Sequence, residues 1–320
     1  MKRLVDSTSL AESKPPTEMW GRAAAVAPVG LLSEPPSVIL SPASNHCRNF
    51  RYLVIVVTRI TEPSVRTTFR NTYGRLGAKY KFTVLFPLGL SDDEKVNMKV
   101  RREHRTYGDI LQTNFIDSYR NLTLKTYSYS DYVRQNCMKV RAVLKVDDDL
   151  AWNVDKMFDY LSKIDTAGNI LYCRSVKDPL VNRDGRERWR VSKSKYPYKY
   201  FPEYCLSPVY AATPTTISAL VEATSTIPHL WLDDVWSLGI VAREILASFR
   251  PLSFNVEREI FEPFLSGSVI TQVAEDQKTL KNQKNVLQST EEEPRRITLQ
   301  SKKLDQGEAG EEGILNCTRS

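Results

Sequence analysis

Short apolar runs, each followed by a helical stretch, constrain the fold of this chain more than any other feature. Tyr52-Leu-Val-Ile-Val-Val57 is continuous and apolar, as expected of a strand buried on both faces. Lys81-Phe-Thr-Val-Leu-Phe86 and Ala142-Val-Leu-Lys-Val146 repeat the pattern, with shorter runs at Asp109-Ile-Leu111 and Asn169-Ile-Leu-Tyr-Cys173. Helical patterns cover residues 64–73, 92–105, 118–136 and 154–163. Strands alternating with helices predict an α/β domain with a mainly parallel sheet. Residues 174–212 read as loops and short strands, and 213–222 and 234–246 as two further helices.

The ends have a different texture. Residues 1–48 carry Pro, Ser and Ala without lasting apolar periodicity and read as a leader or stalk. Residues 266–320 are polar, lack Trp, Tyr and Phe, and read as a disordered tail. The folded domain is then expected over 49–265. The 45 Lys and Arg against 38 Asp and Glu give a net charge of +7, which suits an anionic partner. No Lys/Arg run or basic-aromatic stripe occurs, so nucleic acid is set aside. No stretch of about 20 mostly apolar residues suggests a membrane span. Five cysteines without C-x-x-C spacing argue against zinc and allow up to two disulfides. Their place in one domain pairs Cys173 with Cys205, or either with Cys137.

The densest chemistry is Lys145-Val-Asp-Asp-Asp149, at the end of an apolar strand. Ligand sites in open α/β sheets lie outside the carboxyl ends of strands. Adjacent carboxylates repel, and a hard divalent cation relieves that cost while keeping positions open for phosphate oxygens. The alternative is an acidic loop that caps the next helix through Asp149 or Asn153. Asp233 and Asp234 precede a helical stretch, where one could be a general base and either could be an N-cap acid. Arg66 and Arg70, four apart, share one helix face that suits a diphosphate or simply solvent. With only His46, His104 and His229, a Ser-His-Asp triad or multi-histidine metal site is disfavoured. The glycine patterns of P-loop and dinucleotide-binding folds are also missing.

In this order the pieces resemble the β-1,3-galactosyltransferase family of Golgi enzymes. The resemblance starts at Arg66-Thr-Thr-Phe-Arg-Asn-Thr-Tyr-Gly74, similar to R-x-x-x-R-x-T-W-G with Tyr73 for Trp. It runs through Glu103, Tyr107-Gly-Asp-Ile-Leu111 and Asp117-Ser-Tyr-Arg-Asn-Leu-Thr-Leu-Lys-Thr126. The triple Asp, Arg188-Trp-Arg-Val191, Tyr196-Pro197, Phe201-Pro-Glu-Tyr-Cys205, Tyr210 and Asp233-Asp-Val235 with Gly239 complete it. The spacing from Val235 to Gly239 looks most like nematode-type members.

The resemblance implies a GT-A fold, with a mixed, mostly parallel sheet flanked by helices. It implies an inverting transfer of galactose from UDP-galactose to a hydroxyl of a glycan acceptor on glycoprotein or glycolipid. UDP-GlcNAc or UDP-GalNAc as donor, or a catalytically silent glycan-binding relative, are the alternatives. Asp147, Asp148 and Asp149 would hold Mn²⁺ or Mg²⁺. Asp234 would be the general base, with Asp233 its neighbour. Arg66, Arg70, Asp109, Lys125 and Asp147 would position the nucleotide-sugar, and Trp189, Tyr196 and Tyr204 would line the acceptor side. A Golgi location and membrane association are also implied. Two departures stand out: no His follows His229, and Ser207 replaces a Gly. If that Gly had positive φ, Ser207 would strain its turn.

Overall fold

The computed structural model describes residues 35–252, 255–257 and 270–273. The readings of residues 1–34, of most of the tail, and of Cys317 fall outside the described residues. Strands β1 (Val38–Leu40), β2 (Tyr52–Val57), β3 (Phe82–Leu90), β4 (Ile110–Ile116) and β5 (Ala142–Asp147) build the first half of the main sheet. Helices α1 (Pro63–Asn71), α2 (Glu94–Tyr107) and α3 (Leu122–Asn136) alternate with them. After β5 come β6 (Leu150–Trp152), α4 (Val154–Lys163), β7 (Ile170–Val176), β8 (Tyr204–Ala212) and α5 (Pro214–Ala223). A broken helix over 233–244 and strand β9 (Ser248–Pro251) follow.

The main sheet has the order β1-β4-β3-β2-β5-β8-β7-β9. Strands β4, β3, β2 and β5 are parallel, whereas β8 runs antiparallel to both β5 and β7. The chain moves outward from β2 to β3 and β4, then crosses back to place β5 on the other side of β2. The carboxyl ends of β2 and β5 therefore flank a topological switch point, where open sheets leave a crevice.

The apolar runs form the buried strands as expected, because neither sheet face meets water. Leu53, Val54, Ile55, Leu85, Leu144 and Val146 are fully buried. Helix α4 shows how one flanking layer attaches. Asn153 caps it by accepting from the Lys156 amide, 3.0 Å away. Val154, Met157, Phe158 and Leu161 then repeat at helical spacing on its buried face. Phe158 stacks on Phe82 and meets Tyr52, with ring centroids 4.9 and 5.1 Å away. Burying such a side chain contributes about 2–3 kcal/mol, so Phe158→Ala would loosen this layer.

Four sequence expectations need correction. The leader does not extend to residue 48: Val38 and Leu40 pair with β4, and Cys47 is buried in a disulfide with Cys137. Strand β1 is too short and too exposed to show in an apolar pattern. The tail does not begin cleanly at 266, since β11 (Ile270–Val273) pairs with β10 (Asn255–Glu257) and, antiparallel, with β6. The short strands expected within 174–212 understate β8, nine residues long, whose outer half is only partly buried and lacks a clean apolar run. The helix expected over 234–246 is broken, with a π-helical turn at Trp236–Val241.

Both permitted disulfides form among the described residues. Cys173–Cys205 joins β7 to β8, as one of the sequence alternatives has it, and Cys47–Cys137 uses a partner from the expected leader. No described helix is long and apolar enough to cross a membrane.

Candidate active site

A cleft of about 820 Å³ opens at the switch point. Asp147 and Asp149 reach it from the end of β5, and Asp233 and Asp234 from the start of the broken helix. Arg59, just beyond β2, lines it as well. The acids, far apart in sequence, meet because β8 takes the chain down beside β5 and α5 with the loop over 224–232 brings it back to the same end of the sheet.

Lys145 ties the two strands together beneath this floor. Its buried ammonium donates to Asp147 and to the Ser207 carbonyl on β8. Ser207 lies within extended β8 and is not among the positive-φ residues, so the strain expected of a Gly replacement does not arise. Burial raises the Asp147 pKa against the pull of Lys145. Burial and the flanking Asp147 and Asp149 push Asp148 up to about 7.

Helix α3 explains why a helix so deeply buried is so polar. Thr123 donates to the Leu230 carbonyl at 3.3 Å, fixing the loop that leads to Asp233. Lys125 donates to the Thr58 carbonyl at 2.9 Å and pairs with Asp117 at 2.9 Å, fixing the end of β2. Thr126 bonds to Asp233, and Ser237 donates to the same carboxyl at 3.1 Å. Behind Thr126, the Tyr129 hydroxyl donates to it at 3.1 Å and meets the Tyr210 hydroxyl at 3.0 Å. Burial pushes Asp233 up to about 7, and Asp234 is raised by burial too. The Val235 amide donates to Asp234 at 2.9 Å.

Gly239 sets the far wall. A Cβ there would meet the Tyr204 Cβ at 2.7 Å, so only Gly lets the π-helical turn press against β8. Tyr204 lines the cleft, and Trp189 lines it from the loop before β8. Trp189 donates its indole N–H to the Tyr119 hydroxyl at 2.8 Å, and Tyr119 meets Trp231 edge-on at 6.3 Å. These rings form an aromatic ledge on the rim.

Other expected site residues lie elsewhere. Arg66 is buried, gripping both Glu103 oxygens at 2.9 and 2.7 Å and donating to the Arg59 carbonyl at 2.9 Å. Arg70 grips both Asp109 oxygens at 2.7 and 2.8 Å and reaches Glu103 at 2.8 Å. Arg66, Arg70 and Asp109 do not line the cleft, so direct contact with a nucleotide is corrected to support of the β2 end. The shared helix face was legible; its acidic partners from α2 and the start of β4 were not. Lys125 supports from below in the same way. Tyr196 is also corrected: it is buried against Tyr198 and Phe201, with its hydroxyl on the Tyr200 carbonyl. Arg59, Tyr119, Arg174 and Trp231 are among the lining residues that sequence reading did not single out. Position just past an apolar strand is the signal that points to Arg59.

Among the described residues, no three His, Cys, Asp or Glu side chains converge as a ready cation cage. The donor set fits a different design. Asp147 and Asp149 face one cleft, and burial, with those two carboxylates adding to it, raises the pKa of Asp148 between them. A hard cation bound through one or two carboxylates and substrate phosphates relieves the repulsion among them.

A sequence model of the galactosyltransferase family matches residues 64–252. The chain belongs to the galactosyltransferase family. The match spans the described elements from α1 to β9, and the α/β architecture with its mixed, mostly parallel sheet is the GT-A fold. Human β-1,3-galactosyltransferase 5 is 29% identical over 188 residues, which cover 58% of this chain and 61% of that protein. Mouse β-1,3-galactosyltransferase 1 is 30% identical over 220 residues, 66% of each chain. This galactosyltransferase-family chain thus spans somewhat less than two thirds of those relatives' length. Among solved structures, the galactosyltransferase LgtC has a TM-score of 0.40 and 10% identity, over 74% of this chain and 95% of that one.

Proposed function

We propose that the chain transfers galactose from UDP-galactose to a hydroxyl of a glycan acceptor, forming a β-1,3 linkage with inversion. One observation carries the reading: Asp147, Asp149, Asp233 and Asp234 line a single cleft beside an aromatic ledge. An inverting transfer needs a base on one side of the anomeric carbon and a holder for the diphosphate on the other. The acceptor oxygen attacks the anomeric carbon as the bond to UDP breaks, and the acceptor proton passes to the base.

Asp234 is the base in this reading. It faces the cleft beside Tyr204, and its raised pKa brings proton affinity nearer to working pH. Asp233 is held from behind by Thr126 and Ser237 and keeps the turn in place. Asp147 and Asp149 would hold Mn²⁺ or Mg²⁺, with Asp148 adjacent. When bound, the cation supplies Lewis-acid stabilisation of the departing diphosphate. Arg59, beside the triple Asp, adds positive charge on the donor side. Tyr204 and Trp189 offer ring faces to acceptor sugars. The Golgi lumen is the proposed location, following the family.

The test is UDP release across UDP-galactose, UDP-GlcNAc and UDP-GalNAc, with and without Mn²⁺. Turnover with UDP-galactose that depends on Mn²⁺ is expected. Asp234→Asn should keep UDP binding and lose transfer, whereas Asp149→Ala should lose metal-dependent UDP binding. Absence of both turnover and Mn²⁺-dependent UDP binding in the unmodified protein would overturn the proposal.

A further inference from the structure

The cleft is electrostatically divided. Its acids, Asp147, Asp149, Asp233 and Asp234, share the lining with three arginines, Arg59, Arg174 and Arg188. Arg59 lies near Asp148 and belongs with the floor. Arg188, which lines the cleft, and Arg120, which sits outside the lining against Trp231, are different, because both are built into the aromatic ledge. The Arg188 guanidinium lies 4.8 Å from the Tyr119 ring centre and 5.0 Å from that of Trp189. Arg120 lies 3.7 Å from the centre of the Trp231 ring. Among the described residues, neither pairs with a carboxylate.

Stacking on rings fixes the plane of a guanidinium while leaving its N–H edge for hydrogen bonding. Planar forks of this kind match carboxylate and sulfate oxygens. A neutral sugar would gain from the ring faces alone and would leave the N–H edges of both exposed guanidinium groups to water. In the glycosyl-transfer reading the donor diphosphate is served by Arg59 and by the cation that Asp147 and Asp149 would hold. We propose that the acceptor is an acidic glycan, whose carboxylate or sulfate ester is held by Arg188 and Arg120. The inference rests on the glycosyl-transfer reading and narrows its substrate class.

Direct binding tests it without turnover. Methyl β-glucuronide and methyl β-glucoside differ only in a carboxylate against a hydroxymethyl group. Methyl 6-O-sulfo-β-galactoside and methyl β-galactoside form the sulfate arm. Each is titrated by ligand-observed NMR into the full chain with UDP and Mg²⁺ present. At least one acidic glycoside should bind about fivefold to tenfold tighter than its neutral partner at low salt. The preferred arm identifies the group as carboxylate or sulfate. The double variant R120Q/R188Q should erase the preference while leaving neutral-glycoside binding measurable, which also shows that the variant is folded. Equal binding of acidic and neutral glycosides, or a preference that survives the double variant, overturns the inference. UDP binding, read on the same samples, judges the glycosyl-transfer reading separately.

Discussion

Replacing Asp233 with Asn should stabilise the protein at pH 8 and leave it unchanged near pH 4. Burial pushes the folded-state pKa of this carboxyl up from 3.8 to about 7. The folded protein then binds more protons than the unfolded chain between those values, so stability falls as pH rises through that window. Each pKa unit corresponds to about 1.4 kcal/mol, so the full loss approaches about 4 kcal/mol by pH 8. Asn is nearly isosteric and uncharged, and its amide oxygen still accepts from Ser237. Metal-free protein, unfolded in urea at a series of pH values, gives the comparison. The stability gained by Asp233→Asn should grow from near zero at pH 4 to between about 1 and 4 kcal/mol at pH 8. A difference independent of pH, or an Asn variant less stable at pH 8, would show that this carboxyl is not held in its neutral form.

Three other outcomes follow from the scaffold. Glu103→Gln leaves Arg66 and Arg70 partly unanswered in a buried network and should cost about 3–5 kcal/mol in chemical denaturation. Exposed pairs such as Lys163–Asp159 should show under about 1 kcal/mol in the same assay. Replacing Cys47 and Cys137 together by Ser opens a link spanning 90 residues, against 32 for Cys173–Cys205. Chain entropy makes the first loss larger by about 1 kcal/mol, and the reverse order in calorimetry would contradict that account. Gly239→Ala should displace Tyr204, costing about 1–3 kcal/mol and raising the acceptor KM more than the donor KM.

The strands were legible because β2, β3 and β5 are buried on both faces and leave no polar interruption. The acids at the end of β5 and at 233–234 were legible for a related reason: charge beside an apolar run is costly unless it has a task. What could not be read is pairing across distance. Nothing local says that Arg66 spends its guanidinium on Glu103, or that Thr126 reaches Asp233. Tyr196 and Trp189 look alike as aromatic residues in one loop, yet one is buried and the other 46% exposed. Cys47 was hidden by its surroundings, since Pro and Ser masked a segment that adds a strand to the sheet edge.

The direction of β8 has a consequence for divergence. Because it runs against its neighbours, its first residues reach the cleft, and the segment 177–203 is delivered there without adding a strand to the parallel half. Surface loops change length at little thermodynamic cost. The exposed part of that segment, around Trp189, can therefore vary while buried Val191, Tyr196, Tyr198 and Phe201 anchor it and the ends of β2 and β5 stay fixed. In the proposed reading, the wall that would meet the acceptor and the strand ends that would hold the donor thus belong to different stretches of chain, so exposed positions on that wall can change without touching the ends of β2 and β5.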